Sequence, residues 1–298
     1  MLKAANVSTI PHRSPLRYPG GKTWLIPQIR SWLITRGGSN IRLIEPFAGG
    51  AIVSLTAVIE RLVNDAMIIE VDSDVAAVWS VILGRSGPSL AEQIRSFDFT
   101  EKNVLSILNR KPASLKEHAF QTVLKNRIAR NGILASGAGI IRNGESGHGL
   151  KSRWYPETLS DRILKIHKYR SSIAFKKYDG IRYLKKCIKE VNYIYFIDPP
   201  YDGVGRRLYK HFDINHSKLF NIASVLEGDF LMTYNKIPEV MELADKYGFQ
   251  TESIQMNVGS NRKKIELLIG RDLTWLTRIS PNESDKQDIE IPELCLVS

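Results

Sequence analysis

Asp198-Pro199-Pro200-Tyr201 follows directly on Tyr193-Ile194-Tyr195-Phe196-Ile197, a run with the β-branched and aromatic makeup of a buried strand. Two successive prolines remove two backbone donors and fix both φ angles, so the strand gives way to a stiffened polar corner. Such a corner offers acceptors without competing donors: a carboxylate from Asp198 and a backbone carbonyl from the proline pair. Two acceptors aimed at one exocyclic amino group would hold its nitrogen in place and favour its pyramidalisation. The lone pair, otherwise delocalised into the ring, would then become available. Tyr201 adds an aromatic face for stacking on that ring. The corner therefore suits attack by a poorly nucleophilic ring amino group on an electrophile held beside it.

Three further stretches carry residues suited to holding such an electrophile. In "RYPGGK" (17–22) a tight turn accounts for Pro19-Gly20-Gly21, but not for the aromatic Tyr18 and the cation Lys22 at its edges. An aromatic face is a good neighbour for a sulfonium, and a lysine suits a carboxylate. In "EPFAGGA" (45–51) glycines after a strand let backbone approach a nucleoside and open a helix. Glu45 is an acid at the strand end, and Phe47 is an apolar surface for an adenine ring. The spaced G-x-G-x-x-G of dinucleotide-binding folds is absent. Third, Glu70 and Asp72 end the next strand; Glu70 is placed to accept from ribose hydroxyls, while Asp72 or Asp74 caps the following helix.

These residues need a parallel sheet to bring them together. "RLIEPF", the glycine turn, "AIVSLTAVIERL" and "MIIEVD" read as strand, turn, helix and strand, a βαβ unit with its ligand at the carboxyl ends of the strands. Further strands are expected at 172–179, 193–198, 229–235, 249–256 and 264–270, with a helix at 215–226. Residues 73–171 interrupt the alternation for far longer than an ordinary connection, which predicts an inserted, mainly helical subdomain. The expected organisation is a catalytic domain from 15–72 and 172–272, the insertion at 73–171, and an acidic tail at 273–298.

The formal net charge is +11, and it is unevenly spread. Residues 102–186 hold 19 Lys and Arg against 5 Asp and Glu, while the remainder holds 23 against 26. A basic excess confined to one segment, which almost coincides with the insertion, predicts a surface for a polyanion. Two cysteines give neither a disulfide framework nor a zinc spacing, and no apolar run approaches the ~20 residues that span a bilayer. The N-terminus lacks the apolar core of a signal peptide. The expectation is a soluble, cytoplasmic protein.

Taken in order, "RYPGGK", "EPFAGGA", the acids of "IEVDSD", a long insertion, "FKKYDG" and "DPPY" resemble the Dam-type (alpha-group) DNA adenine methyltransferases, over roughly residues 15–272. The late stretch "NRKKIELLIGR" is similar to the family's closing strands. The resemblance implies a Rossmann-like methyltransferase sheet with helices on both faces and a basic target-recognition insertion. It implies S-adenosylmethionine as methyl donor, no metal, and transfer to the 6-amino group of a flipped-out adenine in double-stranded DNA. Tyr18, Lys22, Glu45, Pro46, Phe47, Gly49, Glu70, Asp179 and Asp198 match the cofactor site, and Asp198, Pro199, Pro200 and Tyr201 match the catalytic loop. Glu70 stands where the family usually has Asp, and Ala51 where its motif ends in Gly, which should tighten the turn.

The insertion then becomes the region that reads DNA. Lys125, Arg127, Arg130, Asn131, Arg142, Lys151 and Arg153 are candidates for phosphate or base contact, with Asn126 and Asn143 beside them. Arg206 and Arg207, in a glycine-containing loop after the catalytic residues, would close over bound DNA. Trp154 in "KSRWYPETL" reads equally as a buried structural residue. The resemblance implies a bacterial or phage setting, a monomer or weak dimer, and a restriction endonuclease or defence partner as one possible companion. The alternatives are methylation of the cytosine 4-amino group, where relatives more often carry Ser in place of Asp198, and a catalytically silent DNA-binding relative. A glutamine-amide methyltransferase, more often Asn there, and a nicotinamide-dependent oxidoreductase fit less well.

Overall fold

The computed structural model describes residues 2–3, 7–36, 38–135, 139–141, 144, 149–200, 214–258 and 262–278. Eight strands form one sheet: β1 (Leu2–Lys3), β2 (Gly38–Glu45), β3 (Val63–Glu70), β4 (Ile173–Lys177), β5 (Tyr193–Ile197), β6 (Phe230–Asn235), β7 (Gln250–Val258) and β8 (Arg262–Gly270). Their order is β1-β7-β8-β6-β5-β2-β3-β4. All neighbours are parallel except β8, which runs antiparallel to both β6 and β7. The chain winds outward from β2 through β3 to β4, then restarts at β5 on the other side of β2. The crevice between the carboxyl ends of β2 and β5 is therefore the switch point, where open α/β sheets take their ligands.

The strand sequences explain why the sheet is covered twice. Neighbouring residues of a strand face opposite sides, so an apolar run such as Tyr193–Ile197 requires an apolar partner on each. Leu43, Ile194, Phe196, Leu231 and Leu268 enter one core, packed by α1 (Ile26–Arg36), α2 (Ile52–Ile59) and α3 (Ser73–Leu83). Ile44, Tyr195, Ile197, Met232 and Leu267 enter the other, packed by α8 (Gly180–Lys186), α9 (His216–Val225) and α10 (Pro238–Lys246). The fold is thus the Rossmann-like methyltransferase arrangement, with helices on both faces.

Residues 73–171 hold α3, α4 (Gly87–Ser96), α5 (Glu101–Leu108), α6 (Leu115–Ile128) and α7 (Pro156–Lys168). These helices carry no separate core: Phe120, Leu124, Trp154 and Ile163 belong to the same buried cluster as Leu43 and Ile194. Its first helix, α3, is the crossover from β3 to β4, with Val75, Val78 and Trp79 buried against the sheet side. The added layer accordingly starts at α4. Trp154 is 4% exposed and sits among Phe97, Phe99 and Phe120, the structural role open to it from sequence. Ser114 caps α6, accepting from the Glu117 amide at 3.2 Å, and Glu117 in turn accepts from the Ala113 amide at 2.6 Å, one residue before the cap. At the C-terminal end, Leu273, Trp275 and Leu276 are buried in the core, so 273–278 belongs to the folded body; the acidic remainder of the expected tail lies outside the described residues.

Candidate active site

Asp198 leaves the end of β5 and is held from two sides. Thr233 of β6 donates to its Oδ1 at 2.6 Å, and the Lys22 ammonium donates to its Oδ2 at 2.7 Å. Its side chain retains 20% exposure, toward a cavity of about 1000 Å³ that Pro199 and Pro200 also line. A carboxylate oxygen has more than one acceptor position, so each oxygen can take a further hydrogen bond from the cavity. Tyr201, the fourth residue of the corner, lies outside the described residues, as do Arg142, Asn143, Arg206 and Arg207.

Lys22 is 2% exposed and also donates to the Gly20 carbonyl at 2.8 Å. Glu266 of β8 lies 3.7 Å from the same ammonium, and Lys264 pairs with the other Glu266 oxygen at 2.8 Å. Burial alone would push the Lys22 ammonium down, but Asp198 and Glu266 outweigh it and raise it. Sequence reasoning assigned this ammonium to the cofactor site; in the structure it lines the cavity and donates to Asp198.

The glycine turn after β2 is set by close approach. Gly49 takes φ +45° under the Tyr18 ring, where any Cβ would collide with that ring. Its carbonyl accepts from the Trp79 indole at 2.8 Å, and its amide donates to Glu70 at 2.9 Å. Ala51 also adopts the left-handed region, φ 51°, at the N-cap of α2. The expected tightening thus takes the form of backbone strain at a residue with a Cβ, worth ~1–2 kcal/mol. Glu45 accepts from the Ser54 amide at 3.0 Å; burial pushes it up to about 8, with the charge of Asp198 adding to the effect and Ser54 and Lys22 opposing it.

Glu70 accepts three backbone amides, from Gly49, Val71 and Asp72, at 2.8–2.9 Å. Burial pushes its carboxyl up to about 7 despite those bonds. Asp72 is the cap of α3, accepting from Asp74 at 2.7 Å, so the division of labour between the two acids holds on the capping side. Asp179 caps α8 by accepting from the Arg182 amide at 2.7 Å, and borders the cavity beside Phe47 and Pro46. Gly180 brings α8 against the Pro46 carbonyl, leaving no room for a Cβ. The structure thus brings Tyr18, Lys22, Glu45, Pro46, Phe47, Glu70, Asp179 and Asp198 to one cavity, with Gly49 packed behind Tyr18.

The DNA-side candidates divide. Arg130 and Lys151 are exposed, and Asn131 is exposed at the cavity rim with φ 56°. Lys125 instead donates to the Leu134 carbonyl at 2.9 Å. Asn126 is fully buried and clamps Arg17, accepting from its amide and donating to its carbonyl, so its amide is structural rather than base-reading. Arg127 and Arg153 are buried at 6% and 8% exposure, corrections to their expected surface role. Arg127 nevertheless lines the cavity and donates to the Pro15 carbonyl, with its Nε lacking a partner. Burial pushes it down to about 9, and repulsion from Arg162, Arg17 and Arg153 adds to that.

Sequence reasoning missed Thr233, Glu266, Trp79, Arg17, Arg162 and Tyr155. The first two had a signal: a polar residue inside each of the apolar runs "FLMTYN" and "KIELLIG" needs a buried partner. Tyr155, 59% exposed at the cavity wall, had none beyond being aromatic. Among the described residues, no cluster of His, Cys, Asp and Glu could hold a metal ion, and no helix is long and apolar enough to cross a membrane.

A family model, D12 class N6 adenine-specific DNA methyltransferase, matches residues 18–258. No curated protein sequence matches the chain. Among solved structures, it is similar to a Pyrococcus horikoshii protein assigned as an RNA methyltransferase, at 11% identity and TM-score 0.38, covering 86% of this chain and 84% of that one. It is similar also to the rRNA methyltransferase aviRa of Streptomyces viridochromogenes, at 13% identity and TM-score 0.38, covering 85% and 86%. At that level neither protein's substrate transfers to this one.

Proposed function

The chain belongs to the D12 class N6 adenine-specific DNA methyltransferases, and we propose that its methyl transfer takes place at the corner Asp198-Pro199-Pro200, on an adenine flipped out of duplex DNA. It is an enzyme that methylates the 6-amino group of adenine in DNA and uses S-adenosylmethionine. The observation that carries the site reading is the fixed orientation of Asp198: Thr233 and Lys22 hold its two oxygens at 2.6 and 2.7 Å while its carboxylate borders the cavity. A carboxylate locked in this way is a preorganised acceptor, and no reorganisation is needed when charge develops on the attacking nitrogen.

S-adenosylmethionine, when bound, supplies an electrophilic methyl group on a sulfonium. The residues present fit it: an aromatic face from Tyr18 for the cation, Glu70 at the end of β3 for ribose hydroxyls, and Phe47 with Asp179 for an adenine ring. Asp198 accepts a hydrogen bond from the incoming amino group, and a carbonyl of the proline pair takes the other. The nitrogen is thereby held in one orientation, with alignment worth ~7 kcal/mol or more of the barrier. The proton that the nitrogen must release is held at the Asp198 carboxylate.

An adenine inside a duplex cannot reach this corner, so it enters unstacked, at a cost of a few kcal/mol. The cavity of about 1000 Å³ lies at the upper end of ligand-pocket sizes, roughly 300–1,000 Å³, which leaves space for a base beside a nucleoside cofactor. Tyr155 is the described aromatic available to stack at its wall. Arg17, Arg127 and Arg162 at the same end crowd positive charge where a DNA phosphate would relieve it. A duplex with 2-aminopurine at the target adenine tests the reading: binding should raise its fluorescence several-fold, and Tyr155→Ala should reduce that gain. An unchanged signal on saturating binding would remove flipping from the account.

A further inference from the structure

Glu266 is a charged residue in the middle of β8, 1% exposed, with a residue of β6 directly opposite it at Asn235. It lies 68 residues from Asp198 in sequence, in the late stretch "NRKKIELLIGR" rather than in any stretch assigned to the site. A lone buried carboxylate is strongly disfavoured, so its presence requires charge partners. It has two, and they differ. Lys264, 40% exposed, donates to Oε1 at 2.8 Å from the solvent side. Lys22, 2% exposed, faces Oε2 at 3.7 Å from the cavity side, and that oxygen has no hydrogen bond. The Glu266–Lys22 relation is therefore mainly one of charge, acting across a short gap between two buried side chains.

We propose that Glu266 is a positioning residue for methyl transfer: from behind the site it draws Lys22 into place, so that Lys22 in turn holds Asp198 as a fixed acceptor. The reading of Asp198 given above is its premise. The titratable groups around Lys22 are Asp198 after β5, Glu266 on β8 and Glu45 at the end of β2, with Lys264 beyond Glu266. Burial works against the Lys22 charge, and Asp198 with Glu266 reverses that balance. With Glu266 neutral, one carboxylate alone would have to hold a buried ammonium. A lysine that gave up its proton would turn from donor to acceptor toward Asp198, and the corner would lose its fixed acceptor. Lys264, on the exposed side, competes for Glu266 and so weakens its pull on Lys22.

The test uses the full-length protein carrying lysine labelled with ¹³C at Cε, with Lys22 assigned through Lys22→Arg. In Glu266→Gln, which keeps shape and removes charge, the Lys22 resonance should titrate at least about one pH unit lower than in the wild type. The alkaline limb of the single-turnover methylation rate should move down with it, so that kcat on that limb falls about tenfold with little change in KM for DNA. Glu266→Asp should restore part of both. Lys264→Ala, at an exposed position, should shift the Lys22 resonance the opposite way. Unmoved Lys22 titration in Glu266→Gln, equal impairment of Glu266→Asp and Glu266→Gln, or a downward shift in Lys264→Ala would each overturn the proposal. The resonance is read without DNA or cofactor, so its failure is distinct from a failure of the Asp198 assignment, which shows only in turnover.

Discussion

At the residue scale, the site consists of acids in three different electrostatic settings. Asp198 is paired and held, Glu70 is wrapped in backbone amides, and Glu45 is buried and accepts the Ser54 amide. The last two are pushed up by burial, to about 7 and about 8, from an ordinary value of 4.5. A carboxyl whose folded value is raised binds its proton more tightly folded than unfolded. Stability is therefore fully present below about pH 4.5 and declines as pH rises to about 8. The interval between 7 and 8 belongs chiefly to Glu45. Glu45→Gln should flatten the pH dependence of the urea midpoint in that interval, and an unchanged slope there would show that Glu45 ionises normally. The corner and the Asp72 cap were legible in the sequence because local order carries them. Thr233 and Glu266 were not, since only strand register brings residues 35 and 68 positions away to Asp198.

At the element scale, the cavity residues that follow β2, β3 and β4 sit where a parallel strand ends and a helix begins, while Tyr18 and Lys22 come from the turn before α1. β2 passes through Gly49 and Ala51 into α2, β3 through Asp72 into α3, and β4 through Asp179 into α8. Ala51 is the imperfect one of these junctions, with a Cβ in the left-handed region. Ala51→Gly should raise stability by ~0.5–1 kcal/mol, the relief of strain less the added freedom of the unfolded chain, as read from denaturant midpoints. A destabilised variant would mean that the Ala51 methyl contributes more to the core than its backbone costs. Most strands were legible because both faces are buried and their apolar runs are nearly unbroken. The two-residue β1 was not, since pairing with β7 alone defines it. Helix α3 was assigned to the insertion because nothing in its sequence separates a crossover helix from the added helices that follow it.

At the scale of the molecule, the basic excess of residues 102–186 is real but only partly at the surface. Burial turns Arg127 and Arg153 inward and ties Lys125 to the Leu134 carbonyl, while Arg130 and Lys151 face out. Charge counting cannot separate these cases, because burial decides them, as for Arg127 on α6, which packs against α3. Arg130→Ala and Lys151→Ala should each reduce the slope of log affinity against log salt by about one for duplex DNA, measured by fluorescence anisotropy. An unaltered slope in both would place the DNA on another face. The claim on which the account rests is that one carboxylate at the end of β5 presents the adenine amino group for methylation. Methylated bases should be mapped at single-nucleotide resolution in DNA from a host expressing the wild-type chain or Asp198→Ala. The account predicts 6-methyladenine at one recurring sequence with the wild type, and a loss of about 10³-fold or more in the variant. Methyl groups on cytosine, or undiminished methyladenine with Asp198→Ala, would contradict it.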